Sequence, residues 1–210
     1  LALTIAGCSA LDTKQREMIF QPSDRIWQRA NMQGMDDVWI SFRSQHAEQD
    51  VRLHGLWLPH RNPKAPVMLY LHGARWNVTG STLRMRNMHS LGFSVLAIDY
   101  RGFGQTEPKE LPSENTARED ALAAWHWLAQ QHPDRPRVIF GHSLGGAIAI
   151  DLVTRVNDEQ ALIVEATFTN IWKNNIPMRI LKQIFHKSIG FNKFSFCHLA
   201  VSNNFIFFSF

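Results

Sequence analysis

Short apolar runs alternate with amphipathic stretches along the chain from Pro66 onwards. The runs "PVMLYLHG", "FSVLAIDY", "RVIFG" and "ALIVEATF" are almost continuously apolar, which is typical of strands buried on both faces. The segments between them space their apolar residues as helices do. Apolar strands separated by amphipathic helices predict a mostly parallel sheet covered by helices on both faces, so the predicted fold class is α/β.

Three helices are predicted between these strands. The first begins near residue 80 and ends at Gly92, where a glycine suits the left-handed position that closes a helix. The second runs from about Thr116 to Gln131, and Thr116 with Glu119 fits a capping box. The third is "SLGGAIAIDLVTRV". The first two helices therefore each have a sequence signal for one of their ends.

The remaining segments set the domain boundaries. "DDVWISFRS" and "VRLHGLWLP", joined by a polar turn at 46–50, predict a hairpin at a sheet edge. Residues 38–170 are interpreted as the core. Residues 1–8 are interpreted as the remnant of a signal peptide, 9–37 as a polar tether, and 171–210 as a helix followed by an atypical tail.

The positive charge of the chain is concentrated at its C-terminal end. The formal net charge is +4, yet residues 171–210 hold five lysines and arginines and no acid. The rest of the chain is close to neutral, and it carries no recognition helix, zinc-finger spacing or RNA-binding aromatic motif. A nucleic-acid partner is not expected, and the oligomeric state is left open.

Cys8 closes the apolar run "LTIAGC". This run resembles the lipobox of bacterial lipoproteins, in which cleavage before the cysteine precedes its lipidation. The resemblance implies a mature protein that begins at Cys8 and is lipid-anchored on the periplasmic face of a bacterial envelope. Ser9, in place of an aspartate, favours the outer membrane. The alternative is a short buried apolar segment with a free thiol.

The strongest chemical signal is "GHSLGG", between a predicted strand and a predicted helix. A serine at such a turn is held in strained backbone geometry with its hydroxyl projecting above the sheet. The glycines let strand and helix approach closely. Ser143 is therefore the candidate nucleophile, with Gly141, Gly145 and Gly146 as the elbow glycines. The alternative is a glycine-rich turn without chemistry.

Three motifs in order, "LHGARWN", "DYRGFGQT" and "GHSLGG", resemble the α/β-hydrolase superfamily, particularly its serine aminopeptidase-like and esterase or thioesterase-like branches. The resemblance covers about residues 38–170. It implies an oxyanion hole made by the backbone amides of Ala74 and Leu144, although Arg75 is an alternative group at the mouth of the site. No cofactor and no metal are implied.

Several acidic and imidazole side chains are weighed against the family's order of Ser, then Asp or Glu, then His. Asp99 precedes Ser143, so it is predicted to brace the loop "YRGFGQT". His72 is predicted to pack or hydrogen-bond behind its loop, and His142 to pack at the elbow. Glu165 survives only as a weak candidate for the acid.

No segment after Ser143 resembles a strand and loop that would deliver a catalytic histidine. His186 lies in a predicted helix and His198 in "FCHLAVSNN", and the catalytic histidine stays unassigned. Eight of the 14 phenylalanines fall in the last 40 residues. This change in amino-acid composition indicates a truncation or a change of reading frame near residues 192–195. The alternative is a genuine C-terminus in which "FIFFSF" forms one more strand.

The leading functional hypothesis is a serine hydrolase that cleaves an ester, thioester or amide through an acyl-enzyme on Ser143, with little activity in this 210-residue form. The second is a non-catalytic surface lipoprotein that keeps the fold and binds a ligand or partner. A third treats "KNNIPMRILKQIFHKS" as a membrane-surface helix, although an ordinary helix that covers the sheet also fits.

Overall fold

A computed structural model of the chain describes residues 2–26, 31–166, 200–202 and 205–209. The helices are α1 (Ala2–Phe20), α2 (Thr82–Ser90), α3 (Glu114–Gln131) and α4 (Leu144–Val153), and a 3-10 turn, Thr79–Ser81, precedes α2. The strands are β1 (Asp36–Arg43), β2 (Asp50–Leu58), β3 (Val67–Leu71), β4 (Ser94–Ile98), β5 (Arg137–His142), β6 (Ala161–Glu165), β7 (Ala200–Ser202) and β8 (Phe205–Ser209).

The described strands form one sheet in the order β1-β2-β4-β3-β5-β6-β8-β7. The four predicted apolar strands, β3 to β6, lie side by side and are all parallel. The predicted hairpin is β1 and β2, an antiparallel pair at the sheet edge. The fold class is confirmed as a mostly parallel α/β sheet.

Helices cover both faces of the sheet because alternate strand residues point to opposite sides. Leu69 of β3 packs in one apolar cluster with Trp125 of α3 and Ile148 of α4. Its neighbour Met68 packs in the other cluster, with Met85 of α2. Each parallel strand is thus buried on two faces, which explains its nearly continuous apolar sequence.

The start of α3 differs from the sequence prediction. Ser113 is the N-cap, and it forms the capping box with Thr116 at a distance of 3.2 Å from the Thr116 amide to the Ser113 hydroxyl. The N-cap therefore lies three residues before the predicted one, Thr116. Glu119 is not part of the box because its carboxylate accepts hydrogen bonds from Ser44 and Arg101. Gly92 follows α2 with φ of 102°, as predicted.

The segment 9–37, interpreted from the sequence as a polar tether, makes contacts with the core. The helix α1 runs through Cys8 to Phe20, whose side chain is buried with 2% exposure. Arg16 donates to the carbonyl of Pro112 at 3.0 Å. One aromatic side chain in a polar sequence was too weak a signal to predict this docking.

The edge of β6 is covered. β8 pairs with β6 in antiparallel register, with Phe207 opposite Ile163, and β7 pairs with β8. In the described sheet "FIFFSF" therefore contributes a strand, β8, as in the alternative of one more C-terminal strand. The predicted helix over 173–188 and both His186 and His198 lie outside the described residues.

Candidate active site

Ser143 sits at the junction of β5 and α4 with φ of 54° and ψ of −117°. This region of backbone space is costly for a residue with a Cβ, and such strain is characteristic of functional turns. The amide of Ser143 donates to the carbonyl of Glu165 at 2.8 Å, and its own carbonyl accepts from Gly146 at 3.0 Å. Hydrogen bonds on both sides hold the strained peptide in place.

The elbow glycines are required by close backbone approach. A Cβ on Gly145 would lie 2.0 Å from the carbonyl oxygen of Leu71, and one on Gly141 would lie 2.4 Å from that of Gly145 and 2.6 Å from the Cα of Gly146. Neither contact can relax by moving a side chain, because the obstructing atoms are backbone. The predicted role of these glycines matches the geometry.

The loop after β3 lies directly against the elbow. A Cβ on Gly73 would be 3.1 Å from the Cβ of Ser143, so the next residue, Ala74, lies near the serine. Leu144 is the first residue of α4, and amides in the first turn of a helix have no acceptor within the helix. Ala74 and Leu144, predicted to supply the oxyanion-hole amides, thus follow the two residues that meet at the elbow, Gly73 and Ser143.

Arg75 has its backbone amide occupied. That amide donates to the carbonyl of Phe20 at 3.1 Å, and the residue takes a positive φ of 66°. The exposed side chain donates from Nε to the amide oxygen of Gln21. Residues 20–21 therefore fix the peptide that follows Ala74.

His72 packs behind this loop, as predicted. The ring is fully buried, lies 4.5 Å from the ring of Tyr100 and 5.0 Å from that of Phe103, and its Nδ1 is 2.8 Å from the carbonyl of Gly73. Burial lowers the pKa of His72 although the nearby Asp99 opposes the shift. The neutral ring must carry its N–H on Nδ1, because the carbonyl of Gly73, which faces this nitrogen, can only accept a hydrogen bond.

Asp99 braces two loops, one of them the predicted "YRGFGQT". Its carboxylate accepts from the amide of Val78 at 2.8 Å and from that of Gln105 at 3.4 Å. Asp99 is buried with 1% exposure, and a Cβ on Gly104 would collide with it at 1.8 Å. These contacts are those of a residue that braces the loops beside the elbow.

His142, Arg84 and Glu165 form a cluster beside the elbow. The guanidinium of Arg84 lies 2.9 Å from the Glu165 carboxylate through Nε and 3.1 Å from His142 Nε2 through Nη2. Burial and the Arg84 charge lower the pKa of His142. Both His142 and Glu165 are therefore held by Arg84, a residue that the sequence did not single out because only the packing of α2 brings it there.

Two further acids after Ser143 are also paired. Asp151 forms ion pairs with Arg118 and Arg155, and Asp158 pairs with Arg137. No histidine follows Ser143 in the parts of the chain that the structure describes. The structure therefore presents the nucleophile turn and the loop beside it, but leaves the acid and base unassigned.

Within the described residues, no group of three or more histidines, cysteines, aspartates or glutamates is arranged to hold a metal ion. None of the described helices has the length and hydropathy that a bilayer span requires.

The parallel sheet, the crossing helices and the strained serine turn after the third parallel strand in the chain define an α/β-hydrolase of the serine hydrolase class. The match to a family model makes the assignment specific. Residues 61–196 match the model of the serine aminopeptidase S33 family, and the chain belongs to that family.

Two groups of relatives agree with this assignment. The lysophosphatidylserine lipase ABHD12 of Danio rerio is 36% identical over 155 residues, which cover 70% of this chain and 34% of the relative. The protein ABHD12B of Homo sapiens is 33% identical over 132 residues, which cover 60% of this chain and 36% of the relative. The chain spans about a third of the length of these curated relatives.

Solved structures share the fold. An esterase from Pyrococcus furiosus superposes with a TM-score of 0.59 at 19% identity, covering 80% of this chain and 66% of that one. A soluble variant of the monoglyceride lipase of Saccharomyces cerevisiae superposes with a TM-score of 0.57 at 16% identity, covering 78% and 56%. At these identities the similarity is one of fold.

Proposed function

We propose that this protein hydrolyses carboxylic esters of lipids through an acyl-enzyme on Ser143. The single observation that carries the proposal is the backbone of Ser143, whose φ of 54° and ψ of −117° match a nucleophile elbow. In the proposed reaction the Ser143 hydroxyl attacks the acyl carbonyl, the alcohol leaves, and water then releases the acid.

The amides of Ala74 and Leu144 stabilise the oxyanion in this proposal. The carbonyl of Phe20 accepts the next amide, that of Arg75, so the loop is fixed around Ala74. Leu144 offers an amide from the first turn of α4, where the helix dipole also favours negative charge. Loss of one such donor typically costs about 3 to 4 kcal/mol of transition-state stabilisation.

The names of the relatives favour a lipid ester as the substrate over a thioester or an amide. ABHD12 is named a lysophosphatidylserine lipase, and a superposable structure is a monoglyceride lipase. Both names describe enzymes that act on acyl lipids. We propose an acyl lipid as the substrate class of this chain as well. The alcohol portion of that lipid is not assigned.

We also propose that turnover by the 210-residue chain is low. Three of the acids after Ser143 that the structure describes are held in ion pairs, Asp151 with Arg118, Asp158 with Arg137 and Glu165 with Arg84. In a serine triad the base takes the hydroxyl proton, and removal of a triad member leaves only the rate gain from binding and the oxyanion hole.

The test is covalent labelling with a fluorophosphonate probe, followed by hydrolysis of a p-nitrophenyl ester. We expect slow labelling at Ser143 and none in Ser143→Ala. The matched control is Ser90→Ala, a serine at the exposed end of α2, which should be labelled as wild type. Labelling that persists in Ser143→Ala refutes the assignment of the nucleophile. A folded protein that binds lipid, but is not labelled by the probe and does not hydrolyse the ester, supports the non-catalytic alternative.

We further propose that Cys8 carries the lipid anchor of a bacterial envelope protein on the periplasmic side, in the outer membrane. The motif "LTIAGCS" supports this. The helix α1 continues from Cys8 to Phe20, which is buried in the core. Such an anchor would hold the hydrolase domain close to the lipid surface, because only one helix separates the two.

A further inference from the structure

His54 lies in the middle of β2, buried with 1% exposure, and is not part of the proposed reaction. Both of its ring nitrogens face carboxylates. Nδ1 is 2.8 Å from Asp99, and Nε2 is 2.8 Å from Asp37 of β1. A neutral imidazole has one N–H and could donate to only one of them. With both carboxyl groups ionised, both hydrogen bonds can form only if the ring is an imidazolium.

The surroundings of the ring are consistent with a positive charge. Burial alone would lower the pKa of His54, but the hydrogen bonds to Asp99 and Asp37 outweigh it, and the pKa is raised. The ring of Trp39 lies 5.0 Å away, and the guanidinium of Arg52 sits over the outer part of that tryptophan, 4.0 Å from its centroid. The two carboxylates are thus the charged groups in direct contact with His54.

Asp99 connects His54 to the loop beside the elbow. Its second oxygen accepts the amide of Val78 at 2.8 Å and lies 3.9 Å from Nε2 of His72. His72 and Val78 bracket the loop that contains Ala74. The backbone of β2 adds a second link, because the carbonyl of His54 accepts the amide of Asp99 at 2.8 Å.

We propose that the His54 imidazolium is a positioning residue that holds Asp99, and through it the loop 72–78, in the arrangement that presents the Ala74 amide. Its charge satisfies the buried Asp99 carboxylate, and Asp37, with a side chain 67% exposed, satisfies the other ring nitrogen from the sheet edge. The functional meaning rests on the oxyanion role proposed for Ala74. The arrangement of His54, Asp99 and the loop 72–78 can be tested without any catalytic turnover.

The direction of the pH dependence follows from the raised pKa. The stabilisation by the charged ring is fully present below pH about 6.5, the ordinary value for histidine. It is lost as the pH rises through the higher folded-state value. Deprotonation leaves a single ring N–H, so the hydrogen bonds to Asp99 and Asp37 can no longer both form, and the hold of His54 on Asp99 weakens.

The first test is NMR of the ¹⁵N-labelled full chain, with the His54 ring signals assigned by their loss in His54→Gln. At pH 6.5 we expect both ring nitrogens to be protonated, and Asp37→Asn should lower the pH at which the ring titrates. A neutral tautomer at pH 6.5 in the wild type overturns the proposal. The wild-type measurement needs a folded variant only for the assignment.

The second test is hydrogen exchange of the Val78 amide, compared with that of Leu69 in the centre of the sheet. In His54→Gln we expect protection at Val78 to fall about tenfold while protection at Leu69 is unchanged. Equal loss at both amides means a general structural role and contradicts a positioning role. If His54→Gln does not fold, the same ratio is measured in the wild type from pH 6 to pH 9, where a constant ratio overturns the proposal.

A failure of this exchange test leaves the labelling of Ser143 unaffected. Conversely, a serine that does not react with the probe leaves the exchange result intact. The two outcomes therefore separate this inference from the proposed function.

Discussion

Arg101 shows how a single residue organises the core beside the site. Its side chain is fully buried, and its guanidinium lies 2.8 Å from Asp120, 2.6 Å from Glu119 and 3.3 Å from Glu110. It also donates to the carbonyl of Thr116 at 3.2 Å. One cation thus fixes the start of α3 relative to the loop after β4.

We predict that Arg101→Met destabilises the protein by about 3 to 5 kcal/mol, because removing one partner of a buried ion pair leaves uncompensated carboxylates. Urea denaturation measures the change. Arg43→Met is the matched control, since its ion pair with Asp50 is exposed and is worth at most about 1 kcal/mol. Equal effects of the two substitutions would contradict the buried-network interpretation.

The segment that follows α1 is the element that connects the N-terminal region to the proposed oxyanion hole. The carbonyl of Phe20 accepts from Arg75, and that of Ser23 accepts from the amide of Gly104 at 3.0 Å. The side chain of Asn77 donates to the carbonyl of Arg25 at 2.8 Å. Residues 20–25 therefore contact both loops that flank the site.

We predict that Phe20→Ala releases this segment. Removal of a buried phenylalanine typically costs about 3 to 5 kcal/mol, and here the first effect should be local undocking of α1. Limited proteolysis should cut within residues 11–26 faster, and probe labelling of Ser143 should slow as Arg75 loses its acceptor. Met18→Ala is the control, because Met18 is 67% exposed. Unchanged proteolysis in Phe20→Ala would show that the segment is held by other contacts.

At the scale of the whole molecule, the proposed site forms where the carboxyl ends of the parallel strands meet. The loops after β3, β4 and β5 all emerge at this edge, which is where ligands bind in such sheets. The elbow, the loop with Ala74 and the carboxylate of Asp99 are brought together only by this topology.

We predict that the protein is lipidated when it is expressed from its own gene in a bacterium. An alkyne fatty acid should label the wild type and Cys197→Ser, but not Cys8→Ser, because the thiol of Cys8 is the proposed attachment point. Fractionation should find the labelled protein in the outer membrane. An unlabelled protein in the soluble fraction would refute the anchor.

The sequence alone was sufficient for the local order of elements. Continuous apolar runs predicted β3 to β6, because a strand buried on two faces has no polar side. "GHSLGG" predicted the elbow, because only glycines allow the backbone contacts made around Gly141 and Gly145. The identity of Ser143 as the candidate nucleophile follows from the same motif. These features depend on residues that are near one another in the chain.

Tertiary structure decided the contacts between distant residues. His54 meets Asp99 across 45 positions, and Arg84 meets Glu165 across 81. No periodicity or motif encodes such pairs, because they depend on strand order and on the packing of α2. The docking of Phe20 and the contacts that draw Glu119 to Ser44 and Arg101 were decided in the same way. Local patterns therefore determined which elements form, whereas long-range packing determined which charged groups support the site.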